Sequence, residues 1–325
     1  DGNYLYQVRV IDAAGNVGAT DSQNVVIDTI APDPAVKTIA ISAITTDTGL
    51  ITNDFVTSDT TLAVSGTLGA ALSAGEFAQI SIDGGTTWQN LSVSGLTWTY
   101  LDGRTLTDGN YNYQVRVIDT AGNIGATASQ IVTVDTTAPL ASKTIAIAGI
   151  SDDTGLSSSD FVTRDTTLTV RGTLGAALAA DERAQISLDG GVTWTTLTVI
   201  GTSWSYADGR TLTDGTWNYT VRVVDLAGNV GATGSQSAQI DTVNPAQVLT
   251  IASISTDTGS SATDFITSDT SLTLTGSLGA GLASGEVAQI SLDGGATWIT
   301  LTTNGTQWTL SLIHISEPTR QAEIS

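Results

Sequence analysis

One acidic, proline-closed segment returns at a fixed distance along the chain, and that distance limits what the chain can fold into. It begins at Asp28, Asp135 and Asp241 and closes at Pro32, Pro139 and Pro245. The starts lie 107 and 106 residues apart (135 − 28 and 241 − 135). That is longer than any solenoid repeat and fits one β-sandwich of about 100 residues. The chain therefore reads as a partial repeat at 1–27, full repeats at 28–134 and 135–240, and a partial repeat at 241–309. Its first residues, Asp1 to Tyr4, read as the middle of a strand and not as a signal peptide, so we expect a fragment of something longer.

Within a repeat, the pattern is that of short strands. In the second copy, 143–150 reads as the first strand, and a long polar loop at 151–165 follows. The segments 166–172, 184–188, 193–199, 204–206, 217–224 and 232–240 read as the other six strands. Asp189-Gly190-Gly191 is a hairpin signal, because glycine tolerates positive φ. In 217–224, Trp217, Tyr219, Val221 and Val223 alternate with polar neighbours, as on a half-buried strand. The expected fold class is all-β, with tandem immunoglobulin-like β-sandwich domains in an extended array. Tyr113 occupies the core-cysteine position of such a domain and Tyr111 its corner tyrosine. Trp217 replaces that corner residue in the second copy, which puts the corner hydrogen bond in doubt there.

Charge narrows the partners. The chain carries 32 acidic and 11 basic side chains, a net charge of −21. Such a balance repels nucleic acid and anionic membranes, and it suits a hard divalent cation that takes carboxylate oxygens. There is no cysteine, so neither disulfides nor a soft metal site is expected. No apolar run approaches the ~18 residues that cross a membrane. The only histidine is His314, inside a tail that breaks the repeat, so the common catalytic triads are not expected. Acids recur in every copy, whereas an active site is usually built once, so we read the chain as no enzyme.

Several motifs recur together. They are Asp-x-Ala-Gly-Asn at 12–16, 119–123 and 225–229, and Asp-Thr-Gly at 47–49, 153–155 and 257–259. A third, Gln-Ile-Ser-x-Asp-Gly-Gly-x-Thr-Trp, stands at 79–88, 185–194 and 289–298. With Val-Asp-Thr-Thr-Ala-Pro at 134–139, these resemble the bacterial Ig-like repeats of giant type I-secreted adhesins and biofilm-associated (Bap-like) surface proteins. The resemblance implies a stalk at the bacterial cell surface, outside the cell, with calcium ions stiffening the domain junctions. The host or matrix surface would be gripped by parts outside this stretch. Residues 310–325 depart from the repeat and resemble a translated sequencing adapter, so they read as a non-native tail.

Sandwich topology says which acids could meet. The turn between the last two strands lies at a domain's entry pole. The loop after the first strand and the loop before the sixth lie at its exit pole. At the joint between the full repeats, Asp47 with Asp102 or Asp108 arrives from one side and Asp225 with Asn229 from the other, with Asp135 between them. The equivalent positions are Asp12, Asp28, Asp119, Asn123, Asp153, Asp208, Asp214 and Asp241. Like charges this close repel by about 1 kcal/mol per pair in water. A calcium ion with 6–8 oxygen ligands would turn that repulsion into cohesion. Two other readings stay open: glycan binding through Trp98 or Trp204, and a non-catalytic appendage of a secreted hydrolase.

Overall fold

The computed structural model describes residues 1–312, and every element in it is a strand or a turn. It divides into two units, Asp1–Thr242 and Val243–Ser325.

The first unit opens on a hairpin of β1 (Gly2–Ile11) and β2 (Val17–Ile27). The first full bead follows as β3 (Ile39–Ile44), β4 (Val56–Thr57), β5 (Ala63–Leu68), β6 (Glu76–Ser81), β7 (Gln89–Asn90), β8 (Val93–Ser94), β9 (Thr97–Leu101), β10 (Gly109–Asp119) and β11 (Ile124–Val134). They form two sheets, ordered β3-β5-β9-β8 and β4-β11-β10-β6-β7. The second bead repeats this plan with β12 (Ile145–Ile150), β13 (Val162–Thr163), β14 (Thr169–Leu174), β15 (Glu182–Ser187), β16 (Thr195–Thr196), β17 (Thr198–Ile200), β18 (Ser203–Ala207), β19 (Gly215–Asp225) and β20 (Val230–Ile240). All-β tandem sandwiches are thus what the chain forms.

The strand period of two decides what is inside. On β10, Tyr113, Val115 and Val117 are fully buried and alternate with the half-buried Gln114 and Arg116. Across the sandwich Trp98 lies over Gly66. A Cβ on Gly66 would sit 2.3 Å from the Trp98 ring and 1.9 Å from the Ala40 carbonyl, so only glycine fits. Gly172 under Trp204 and Gly276 under Trp308 repeat the arrangement.

Three expectations need correction. The polar loop at 151–165 contains a two-residue strand, β13, which pairs in parallel with β20; two residues are too few to show a period. Trp98 and Trp204 are 2% and 3% exposed, so neither offers a face to a sugar. The corner hydrogen bond survives the change to tryptophan. Tyr111 donates to the Thr107 carbonyl at 2.8 Å, and Trp217 Nε1 donates to the Thr213 carbonyl at 2.9 Å.

The second unit holds β21 (Leu249–Ile254), β22 (Thr273–Leu278), β23 (Gln289–Ile290), β24 (Ile299–Thr300), β25 (Thr303–Asn304) and β26 (Gln307–Ser311). Its sheets run β21-β22-β26-β25 and β23-β24. Leu310 and Ser311 continue β26 and pair with Leu274 and Thr273, so the repeat persists two residues beyond the expected break. His314 and the rest of the expected tail from 313 lie outside the described residues.

Candidate functional site: the joint between the full beads

The loop after β3 in the first bead meets the turn between β19 and β20 of the second. Thr48 Oγ1 donates to the Ala227 carbonyl at 2.6 Å, and Leu50 N donates to the Leu226 carbonyl. Gly49 makes this approach possible. A Cβ there would lie 1.9 Å from the Leu226 oxygen, and one on Gly228 would lie 3.0 Å from the Gly49 Cα. Gly49 of Asp-Thr-Gly and Gly228 of Ala-Gly-Asn are thus the two sides of one backbone-to-backbone contact at this joint. The linker is seated as well. Pro139 packs on Gly231, where a Cβ would meet the proline Cβ at 2.9 Å.

The acids of the joint mostly shape backbone. Asp225 Oδ1 accepts from Asn229 N at 2.8 Å, which closes the turn. Asn229 Nδ2 donates both to Asp225 Oδ2 at 2.9 Å and to the Asp135 carbonyl at 2.8 Å. Asn229 thus serves as a nitrogen donor that ties turn to linker, and the left-handed residue is Gly228, with φ 94°. Asp119 and Asn123 repeat this against the Asp28 carbonyl, and Asp12 closes the same turn on Asn16 in the first hairpin. Asp108 accepts from Thr136 N and Oγ1, as Asp214 does from Thr242. Asp28 and Asp135 each cap the amide two residues on, Ile30 and Thr137. The Asp241 amide donates to the Thr163 carbonyl.

Charge nevertheless accumulates at Asp135. Burial raises its carboxyl above the ordinary value, and the charges of Asp225, Asp108 and Asp181 push the same way. Asp181 was not among the candidates, because nothing in its local sequence distinguishes it. Among the described residues no three acidic side chains gather into a metal-sized group.

Asp47 is the exception. Its Oδ2 accepts from Phe55 N at 3.1 Å, while its Oδ1 is buried without a partner. Burial raises its carboxyl, and Asp54 adds to the shift. The orphan oxygen recurs at Asp153 and Asp257. The loop is held in the left-handed region at Phe55, Phe161 and Phe265, with φ 62°, 62° and 60°. A bulky residue there is a true outlier. One buried oxygen unpaired in every copy fits a cation ligand far better than the hydrogen-bonded linker acids do.

Asp102 and Asp208 belong to the beads' interiors instead, which removes them from the joint. The Arg104 guanidinium grips both Asp102 oxygens at 2.6–2.9 Å, and Tyr113 donates to Oδ2 at 2.6 Å. Burial alone would raise this carboxyl, but the arginine and the tyrosine outweigh it and hold it below the ordinary range. Arg210 and Tyr219 do the same for Asp208. Asp-Gly-Arg at 102–104 and 208–210, with a tyrosine two residues past the corner, was the available signal.

Asp83, Asp189 and Asp293 build the hairpin tips. Asp83 accepts from Thr87 Oγ1 and N, from Ser81 Oγ and from Thr86 N. These bonds, that of the Thr87 hydroxyl foremost, lower its carboxyl from 3.8 to about 2. A depressed carboxyl contributes stability above its unfolded value and loses it as pH falls through the folded one. The Thr87 and Thr193 amide resonances are therefore expected to titrate with a midpoint of about 2. A midpoint near 3.8 would refute the network.

Two stretches of the chain, 34–136 and 140–242, match the model of a bacterial Ig-like domain. The chain belongs to the bacterial Ig-like domain family. A second family model of the same description matches residues 1–29, so the opening hairpin of this Ig-like array is itself a piece of such a domain. The Ig-like array is 28% identical over 248 residues to Exoglucanase B of Cellulomonas fimi, covering 74% of this chain and 20% of that protein. The chain thus spans about a fifth of that relative's length. Among solved structures, fibronectin(III)-like modules of Clostridium thermocellum CbhA match at 12% identity, with a TM-score of 0.36, over 62% of this chain and 94% of theirs. The FN1–FN3 domains of chicken CNTN1 match at 13% identity, with a TM-score of 0.26, over 84% and 87%.

Proposed function

We propose that this chain is a non-catalytic spacer segment of a bacterial extracellular protein. The function best supported is the stalk of a cell-surface adhesin for attachment or biofilm formation, exported by a type I system. The carrying observation is the direct backbone contact between the loop at 47–50 and the turn at 225–229. A spacer must transmit position from bead to bead, and a joint built from main chain does so. The same loop and turn sequences recur in the other copies, as an array made of one reused joint requires.

In this reading calcium is the structural partner, with Asp47, Asp153 and Asp257 offering their unpaired oxygens at the bead ends. Calcium would supply charge neutralisation there and fasten the strained loop. Extracellular modules bind calcium at about 10⁻⁴–10⁻³ M. Small-angle scattering of the whole chain with calcium and with a chelator tests this. We expect a shorter, broader distance distribution without calcium, and the same broadening in Asp47→Asn with calcium present. Identical profiles in all three states would remove calcium from the account.

The similarity to Exoglucanase B supports a second reading, an appendage that spaces the modules of a secreted hydrolase. The two readings share the spacer role and differ in what lies beyond it. A complete reading frame carrying a glycosidase module decides for the second, and a long run of further beads decides for the first.

A further inference from the structure

Three basic positions recur at matching places in the two full beads, and two of them serve acids. Lys37 and Lys143 pair with Glu76 and Glu182, and Arg104 and Arg210 pair with Asp102 and Asp208. The third position, Arg116 and Arg222, has no carboxylate partner among the described residues. The chain has 32 acidic side chains and a net charge of −21, yet this guanidinium is left without a counter-ion in both beads. We propose that Arg222 is the anchor of a glycan site, where it takes the carboxylate of one acidic sugar while the adjoining hydroxyl-lined groove takes sugar hydroxyls.

The guanidinium is held in place before any ligand arrives. Its carbon lies 4.0 Å from the Trp194 ring centre, and Trp194 Nε1 donates to the Gly191 carbonyl at 2.9 Å, which anchors the ring. Arg222 Nε donates to Gln185 Oε1 at 2.9 Å, and neither Nη reaches an acceptor among the described residues. Arg116 repeats the arrangement on Trp88 and Gln79. Gln185 is buried and stands directly opposite Arg222 across the strands. A glutamate of the same shape would neutralise the arginine there, but both beads place the neutral amide. Burial lowers the Arg116 and Arg222 guanidinium values with no acid to raise them, whereas Asp208 raises that of Arg210. A planar fork fixed against a ring, with its outer N–H groups unused, matches a carboxylate.

The groove is the second observation. A shallow hollow of about 430 Å³ lies along β19 and β20, lined by Asn218, Thr220, Ser235 and Ser237. Thr220 pairs with Ser235, two residues along from the pair of Arg222 and Thr233 and so on the same outer face. The Thr220 and Ser235 hydroxyls have no partner among the described residues. Asn218 Oδ1 accepts from Ser237 Oγ at 2.6 Å, which leaves the Asn218 amide free to donate. Hydroxyls and an amide with no charge among them suit sugar hydroxyls. The charge of the ligand follows from the whole chain. A densely anionic polymer is repelled by −21, so the fitting ligand is a largely neutral glycan with an isolated uronate. The first bead is the natural control: Gln114 and Ile131 stand where the second has Thr220 and Ser237, so it keeps the arginine without the groove.

Nuclear magnetic resonance on the full chain tests the site through the Nε–H signals of Arg116 and Arg222 and the indole N–H of Trp194. The probes are glucuronic acid β1,4-linked to glucose, its uncharged counterpart cellobiose, and sodium acetate. The Arg222 and Trp194 signals should saturate with the acidic disaccharide at a concentration roughly tenfold below that needed with either other probe. Arg116 should respond to the acidic disaccharide no better than to acetate. Arg222→Gln should abolish the response of Trp194. Ser235→Trp fills the groove from an exposed position outside the core, so it should weaken the disaccharide roughly tenfold and leave acetate unchanged. The absence of any saturable shift overturns the proposal. So does acetate binding as tightly as the disaccharide, which would mean an adventitious ion only. Full disaccharide affinity in Ser235→Trp, or tighter binding of an aspartate-rich peptide, overturns the glycan assignment as well.

Discussion

Alanine at Gly49 opens the joint between the two full beads while each bead stays folded. The added carbon would lie 1.9 Å from the Leu226 oxygen and 2.9 Å from the Ala227 carbonyl carbon, so the facing backbones must part. Parting them removes the bonds from Thr48 to Ala227 and from Leu50 to Leu226. At about 1 kcal/mol each, their loss weakens the joint by about 2 kcal/mol, or roughly thirtyfold in the open population. Gly155 provides the control. Its φ of 105° matches the 100° of Gly49, but nothing lies within 4 Å of its Cβ position. Gly155→Ala therefore carries the same backbone strain without the collision. Nuclear spin relaxation should show the two beads tumbling separately in Gly49→Ala and together in Gly155→Ala. Equal behaviour of the two variants would refute the close-contact joint.

Removing the Asp208 carboxylate is expected to be the most damaging change within a bead. It leaves the Tyr219 hydroxyl buried and the Arg210 guanidinium without its counter-ion. Breaking a buried pair costs about 3–5 kcal/mol. The Arg210 side chain is 35% exposed and can recover some hydration, so we expect the lower end, about 3 kcal/mol. For a bead of about 100 residues that lowers Tm by about 12–24 °C. Tyr219→Phe, which loses one bond, should cost about 1 kcal/mol. Calorimetry of the chain should then resolve an early transition for the second bead beside an unshifted first one. Equal shifts for Asp208→Ala and Tyr219→Phe would show that the arginine contributes little.

Much of the sandwich was legible because strand patterning is local. The alternation through Tyr113, Val115 and Val117 names the buried face of β10 without any knowledge of the fold. The Asp-Gly-Gly tips were equally plain, since their chemistry lies within five residues. Sandwich topology also put the loop holding Asp47 and the turn holding Asp225 on one joint, and there they meet. What the pattern could not show was how the acids are used. A string of aspartates looks alike whether it caps amides, as Asp135 and Asp225 do, or pairs with an arginine inside a core, as Asp102 does. That distinction depends on long-range packing. Trp217 misled for a related reason: its N–H reaches the carbonyl that the Tyr111 hydroxyl reaches, so two unlike side chains make one bond. The short strands β4 and β13 carry no period at all, and only their partners define them.

Those short strands bear on load. β4 pairs in parallel with β11, and the amide of Asp135, where the chain leaves the bead, donates to the Thr57 carbonyl on β4. Because the two strands point the same way, a tug on opposite termini slides one along the other and strains their bonds together instead of peeling them singly. Each module would therefore act as a force-bearing latch, yielding abruptly at a threshold rather than unravelling gradually under tension.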